Sequence, residues 1–294
     1  MARWLVAVNR AAGSRSVDPS TLAAMLGEHQ VDAQMMVPGS REEMKSEIEK
    51  GARDGFTHFA VAGGDGTMNL LANVLVPMAL DPTPVVAVLP VGTGCDLLRT
   101  FGLSQDLGAA VGRLAGPDTY AIDVATLEGS WGRRYFVNVA QAGVGAAAAE
   151  TAPHLSRRLG ASRYPIAFAA RLPRFPRARV TLTTEKRVVE SDALAVILAN
   201  AQFFAGGWNV APKATLVDGV LDIQVIDARK TQAPALVPKV IKGTHLRDPT
   251  VRRLVAAEFH LVTEPEWPVE CDGDLIGNTT VSGRVVPAAL MLKI

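Results

Sequence analysis

Along the first 120 residues, short apolar runs alternate with stretches whose apolar positions recur three or four apart. Trp4 to Val8, Gln34 to Val37, His58 to Ala62 and Val85 to Leu89 read as strands; Pro19 to Gly27, Arg41 to Arg53 and Met68 to Val76 read as helices. In the second helix Met44 and Ile48, four apart, form a narrow apolar stripe beneath mixed Glu and Lys. This alternation predicts a parallel, doubly wound sheet. From about Asp123 the pattern changes. Tyr135 to Ala140, Val180 to Thr184, Arg187 to Glu190, Leu194 to Asn200, Leu221 to Ile226 and Glu258 to Thr263 read as strands joined by tight turns, with few helices between them. A mainly antiparallel β domain is expected there. The stretch from Thr279 to Ile294 is strand-like and is expected to return to the first domain. The expected division is 1–122, joined by 283–294, and 123–282.

Composition agrees with two ordinary cores, since single cores stop growing near roughly 250–300 residues and the chain has 294. With 48% apolar and 20% charged residues it can bury enough surface to offset chain entropy. A net charge of +1 excludes a globally basic nucleic-acid binder, and no nucleic-acid partner is expected. Two cysteines and five histidines without ligand spacing support neither a disulfide scaffold nor a zinc site. The opening apolar run is too short for a signal sequence. No run reaches the ~18 residues of a membrane-spanning helix, and the longest, Ala193 to Ala205, is broken by Asn200 and Gln202. A cytoplasmic protein that meets lipid only from the surface is expected.

Two words carry chemistry: Gly63-Gly-Asp-Gly-Thr-Met-Asn69 and Gly92-Thr-Gly-Cys-Asp96, each after an apolar strand and before a helix. Strand, glycine turn and helix together make an anion site, because backbone N–H groups can converge on phosphate oxygens at a helix start. Neither word is Gly-x4-Gly-Lys-Ser/Thr or Gly-x-Gly-x-x-Gly, so the common triphosphatase loop and the usual dinucleotide fingerprint are rejected. A carboxylate amid phosphates is unfavourable without a cation, so Asp65 and Asp96 point to Mg²⁺ travelling with the nucleotide. Thr67 and Thr93 add hydroxyl donors.

These words resemble the catalytic domain of the diacylglycerol kinase family, in particular the soluble bacterial lipid kinases related to sphingosine and ceramide kinases. The resemblance continues in Tyr135-Phe-Val-Asn-Val-Ala140, Gly206-Gly-Trp-Asn-Val-Ala-Pro212, Asp218-Gly-Val-Leu-Asp222 and Asp272-Gly-Asp274. It implies a Rossmann-like N-terminal domain and a C-terminal antiparallel β-sandwich with the nucleotide cleft between them. It places ATP phosphates on Gly63, Gly64, Asp65, Gly66 and Thr67 and on Gly92 and Thr93, with Asn9, Asn69, Asp96 and Ser40 nearby. It makes Asp272 the general base, with Asp65 as its partner in catalysis. It also implies a structural Mg²⁺ held by the Asp218 carboxylate and the carbonyls of Thr215 and Val220, for which a tight hairpin at Asp218-Gly219 is the alternative. Two positions depart from the family pattern: Cys95 stands where relatives usually have Asn, and Asp274 where they have Glu.

The implied activity is ATP- and Mg²⁺-dependent phosphoryl transfer to the hydroxyl of a membrane lipid, diacylglycerol first, giving phosphatidic acid. Another lipid, an isoprenoid, a soluble alcohol, or a nucleotide-binding regulator that has lost catalysis are the alternatives. Arginines 157, 158, 163, 171, 174, 177 and 179 lie within Thr151 to Thr184 without Asp, Glu or Lys, interleaved with Leu155, Leu159, Tyr164, Ile166, Phe168, Leu172 and Phe175. A basic amphipathic stretch in a neutral chain suits peripheral docking on the inner face of an anionic membrane through 157–179, and a solvated or internally paired face is the bland reading. A homodimer is left open. Both cysteines, Cys95 and Cys271, fall inside the chemical words, where a packing role and a thiol-sensitive site are the two readings.

Overall fold

The computed structural model describes residues 2–10, 17–92 and 94–294. Thr93 and the segment 11–16 lie outside them, as do the side chains of Arg157, Arg158 and Ala161. The chain divides into two compact units, 1–124 with 287–294, and 125–286.

The first unit is α/β. Its elements run β1 (Trp4–Val8), α1 (Pro19–Glu28), β2 (Ala33–Met36), α2 (Arg41–Arg53), β3 (His58–Gly63), α3 (Asp65–Leu75), β4 (Val85–Pro90), α4 (Asp96–Thr100) and α5 (Leu107–Leu114). The strands are parallel in the order β2-β1-β3-β4, so the winding reverses direction beside β1. Both faces of the sheet are covered, which is why these strands read as unbroken apolar runs. Trp4, Val6 and Val8 pack with Leu22 and Leu26 of α1 and with Ala110, Val111 and Leu114 of α5. Leu5, on the other face, lies against Gly51 of α2, where a Cβ would stand 2.2 Å from its side chain. Asp18 caps α1 through the N–H groups of Ser20 and Thr21, and Ser40 caps α2 through that of Glu43.

The second unit begins within β5 (Thr119–Gly129) and continues through β6 (Gly132–Phe136), β7 (Val139–Gly143), α6 (Val144–Thr151), α7 (Arg163–Arg171), β8 (Ala178–Thr184), β9 (Val188–Ala193), β10 (Ala195–Ala199), β11 (Phe203–Phe204), β12 (Trp208–Asn209), β13 (Leu221–Ile226), α8 (Ala233–Ile241), β14 (Val251–Ala256), β15 (Glu258–Glu264), β16 (Pro268–Cys271), β17 (Asp274–Asn278) and the first half of β18 (Val281–Lys293). One antiparallel sheet has the order β14-β13-β10-β7-β16-β17. A second layer pairs β18, β15, β8 and β9 and carries the β5–β6 hairpin. Trp267, Phe136, Leu198, Ile223 and Leu261 fill the core of the sandwich. The last residues of β18 belong to the first unit, where Met291 and Leu292 pair in parallel with Val85 and Val86 of β4.

The structure corrects the expected strand Tyr135 to Ala140. It is two strands, β6 and β7, interrupted at Val137 and Asn138. It also adds three helices to a region expected to hold few. Helix α6 is a run of alanines without an apolar stripe, while α7 and α8 contain Pro165 and Pro238, which read as breaks in a sequence. Gly143 turns β7 into α6 at φ +109°, and a Cβ there would stand 2.4 Å from the Leu194 carbonyl oxygen. Gly143→Ala is expected to cost more than about 1 kcal/mol, read as a lowered denaturant midpoint at unchanged slope.

Candidate active site

In a parallel sheet every strand ends at the same edge, which is where ligands of such folds are bound. Asn9 follows β1, Ser40 follows β2, Gly63 and Gly64 end β3, and Gly92 follows β4, so the first unit gathers these residues on one edge. The Asn9 side-chain amide donates to Thr67 Oγ1 over 2.9 Å, and the Asn9 N–H donates to Ala62 O. Thr67 curls back over Gly63, where a Cβ would stand 2.3 Å from its hydroxyl oxygen. The two glycine words touch: a Cβ on Gly92 would meet the Gly64 Cα at 3.0 Å. Glycine at 63 and 92 therefore answers to close approach of backbone to backbone and side chain.

Asp65 joins the words. Its Oδ2 accepts from the N–H groups of Cys95 at 2.7 Å and Asp96 at 3.0 Å, and its Oδ1 from that of Leu97 at 3.2 Å. These are the free amides at the start of α4, so the carboxylate is neutralised by three donors and by the positive end of a short helix. These amides compensate part of the charge for which a cation is expected, and a Mg²⁺ beside Asp65 remains compatible with them. The Asp96 carboxylate is buried and pairs with Arg99 at 2.8 Å. Asn69 is buried on α3 and accepts from the Asn73 amide at 3.2 Å. Ser40 is spent as a helix cap, so its placement on the edge has a structural cause of its own.

Among the described residues, no three His, Cys, Asp or Glu side chains are grouped as metal ligands. A Mg²⁺ at the glycine words would be held by phosphate oxygens and water, a coordination this hard cation accepts. In the second unit Thr215, Asp218 and Val220 share one exposed turn, and Asp218 Oδ1 accepts from the Val220 N–H at 3.3 Å. The alternative of a hairpin does not form, because the residues before Asp218 are turn and not strand.

Asp272 stands at the β16–β17 turn with φ +45°, buried. Its Oδ2 accepts from the Val137 N–H at 2.7 Å, and its Oδ1 from those of Asn138 and Val139 at 3.0 Å each. That is where the expected single strand breaks: the amides that would have continued a ladder turn to the carboxylate instead. Sequence reasoning passed over Glu270, two residues earlier. It is fully buried, faces Gln141 across the β16–β7 pair, accepts from its side-chain amide at 2.8 Å, and accepts from the Gly273 N–H. The Gln141 amide also reaches the Tyr164 hydroxyl at 3.3 Å. An acid inside a strand otherwise made of Val269 and Cys271 was the available signal. Burial pushes the Glu270 carboxyl up to about 8; Gln141 and Gly273 oppose this, and the charges of Asp272 and Asp274 add to it.

Asp222, which ends the Asp218-Gly-Val-Leu word, is buried against Arg253 Nε at 2.5 Å and the Gln224 amide at 3.1 Å, which makes it an organiser of the sheet. Tyr164 and Gln141 line a small cavity of about 70 Å³ together with Phe168, Trp208, Leu236 and Val240. Of the arginine-rich stretch, Arg171 pairs with Glu150, Arg179 with Glu190 at 3.0 Å, and Arg177 donates to the carbonyls of Asp192 and Asp227.

With this geometry, the chain belongs to the diacylglycerol kinase family: the diacylglycerol kinase catalytic domain model matches residues 3–127, and the YegS C-terminal NAD kinase β-sandwich-like domain model matches 138–294. No helix among the described residues is long and apolar enough to cross a membrane. The chain is 24% identical over 271 residues to lipid kinase YegS of Escherichia coli K12, an alignment covering 92% of this chain and 89% of that one. A diacylglycerol kinase structure from Bacillus anthracis str. Sterne superposes with a TM-score of 0.74 at 20% identity, and another structure from that strain with 0.80 at 23%; each covers 99% of this chain and 96% of the other.

Both thiols are buried. Burial, then the charges of Asp65 and Asp96, push Cys95 up to about 12, and burial raises Cys271 well above its ordinary value. Overnight treatment with iodoacetamide at pH 7 is therefore expected to leave both unmodified by mass spectrometry, whereas urea exposes both. For Glu270 the folded chain keeps a proton that the unfolded chain releases near 4.5, so its contribution to stability falls as pH rises from about 4.5 to 8. The stability of Glu270→Gln relative to the parent is expected to rise by more than about 1 kcal/mol between pH 5 and pH 8, since each unit of pKa difference is worth about 1.4 kcal/mol. A constant difference across that range would mean the carboxyl is already ionised.

Proposed function

We propose that the protein transfers the γ-phosphoryl group of ATP, as its Mg²⁺ complex, to a hydroxyl of a membrane lipid, with diacylglycerol as acceptor and phosphatidic acid as product. The observation that carries this reading is the Asp65 tie, which holds two glycine turns together at the edge where a parallel sheet binds phosphates. The start of α3, where the Thr67 N–H already donates to Gly64 O at 3.0 Å, turns the positive end of a helix toward phosphate oxygens. Asn9 fixes the Thr67 hydroxyl beside them. Mg²⁺ supplies neutralisation of the charge that develops on the phosphates.

Asp272 is the group proposed to receive the acceptor hydroxyl. Its orientation is set by three backbone donors, so its role is first to position that hydroxyl by accepting its hydrogen bond. In a loose transition state the proton leaves late and positioning matters most. The apolar cavity behind Tyr164 suits part of an acyl chain. Leu159 and Ile166 are exposed on the segment that carries the arginines, which supports contact with a lipid surface there. Arg177 gives its guanidinium to two backbone carbonyls, whereas Arg171 and Arg179 pair with Glu150 and Glu190 at exposed positions, so the contact would combine apolar insertion with the remaining charge.

Labelled ATP incubated with the protein, Mg²⁺ and vesicles of total lipid extract should yield labelled phosphatidic acid. Label found only in water-soluble products would overturn the reading. Asp272→Asn should lower turnover at least a hundredfold with nucleotide affinity kept, because the cradle lies in the other unit. The amide also puts a donor against the Val137 or Asn138 N–H, so the variant should melt earlier as well. Turnover retained in a folded variant would remove Asp272 from the reaction.

A further inference from the structure

The first unit has a second cavity, of about 300 Å³, at the opposite edge of its sheet from the glycine words. Trp4 opens β1 and His58 opens β3; the two are paired neighbours, with rings 5.0 Å apart and edge to face. Val85 pairs with His58, and Met291 pairs with Val85. Lys293, two residues past Met291, therefore falls on the same face as Trp4 and His58. The end of α5, Gly116, and the segment Gln30 to Asp32 complete the walls. Strands of five or six residues at about 3.3 Å each separate this cavity from the glycine words by roughly 15–20 Å.

Two of its groups lack the partners their chemistry asks for. Lys293 is 4% exposed, yet its ammonium donates to a backbone carbonyl, Asp118 O at 2.5 Å, and forms no ion pair among the described residues. Gly116 bounds the cavity, and a Cβ on it would stand 3.9 Å from Lys293 Nζ, which sets the ammonium at the wall. Trp4 is 1% exposed and its indole N–H has no acceptor among the described residues. A buried cation and a buried unpaired donor are each unfavourable until an acceptor arrives. His58 shares a hydrogen bond with Thr57 Oγ1 through Nδ1 and has Nε2 as a further polar atom. Two acidic groups lie near: Asp32, exposed and screened by solvent, and Asp118, whose charge acts on Lys293 against the cost of its burial.

We propose that this cavity binds the oxyanion of a small molecule, a carboxylate or a phosphate, with Lys293 Nζ as its charge partner and the Trp4 indole N–H as its second donor. The site is separate from the nucleotide cradle and owes nothing to the kinase reading. Burial and the Lys293 charge hold His58 below its usual range, so at neutral pH it offers a neutral imidazole to the same ligand. The cavity has room for a metabolite of modest size and not for a lipid.

The test follows the Trp4 indole N–H by nitrogen–proton correlation NMR on the full chain saturated with a non-hydrolysable ATP analogue. Trp4→Phe assigns the signal. Inorganic phosphate and succinate are titrated separately, and saturation by one or the other identifies the oxyanion class. The indole signal should shift saturably, and Lys293→Met should weaken the effective ligand at least tenfold. In case Lys293→Met does not fold, Trp4→Phe followed by calorimetry should weaken the same ligand several-fold, since it removes the N–H and keeps the ring. No saturable shift with either anion, or unchanged affinity in both variants, would overturn the proposal. Loss of kinase activity in the parent protein would leave it standing, because the readout is at Trp4.

Discussion

The hydrogen bonds from Cys95, Asp96 and Leu97 to the Asp65 carboxylate decide what the first unit can do. Without them, two glycine turns at neighbouring strand ends would each be a soft loop with freely rotating amides. With them, the start of α3 and the start of α4 share one negative charge and a fixed separation. Everything placed around them follows: Gly92 presses on Gly64, Thr67 folds over Gly63, and Asn9 closes on Thr67. Cys95 pivots between the words at φ +71°, a backbone conformation that costs a non-glycine residue and is held here by the amide it donates.

The second unit repeats the device with different parts. Asp272 collects three consecutive amides and, in doing so, ends one strand and starts another. Glu270 braces the same turn from two residues earlier and passes the contact to Gln141 and Tyr164. In both units an aspartate beside a glycine serves as an acceptor for backbone donors. A carboxylate so used is rigid, and rigidity of the first contact is what a reaction governed by positioning requires.

The parallel strands of the first unit were legible because burial on both faces writes a run of apolar residues that few other structures produce. The glycine words were legible because close approach of main chains excludes side chains. What escaped the sequence has a common cause: local pattern was overridden by a distant group. Tyr135 to Ala140 has the alternation of one strand, and only Asp272, far along the chain, breaks it. Helix α8 contains Pro238 and is held by the packing of Ala233 and Leu236. The amides that Asp65 accepts lie thirty residues away, so no local pattern signals the tie between the two glycine words. In the arginine stretch, Arg177 gives its guanidinium to the carbonyls of Asp192 and Asp227, contacts that no local pattern signals.

The return of the chain has a consequence for how the protein is made. The sheet of the first unit ends with Met291 and Leu292 alongside β4, and the whole of 125–286 is synthesised in between. At roughly 5–20 residues per second, the first unit waits on the order of ten to thirty seconds on the ribosome with the flank of β4 unpaired. An exposed parallel edge of Val85 to Pro90 is a template for wrong strands during that interval. The second unit can close first, although it is encoded later, and the order of folding then runs against the order of translation.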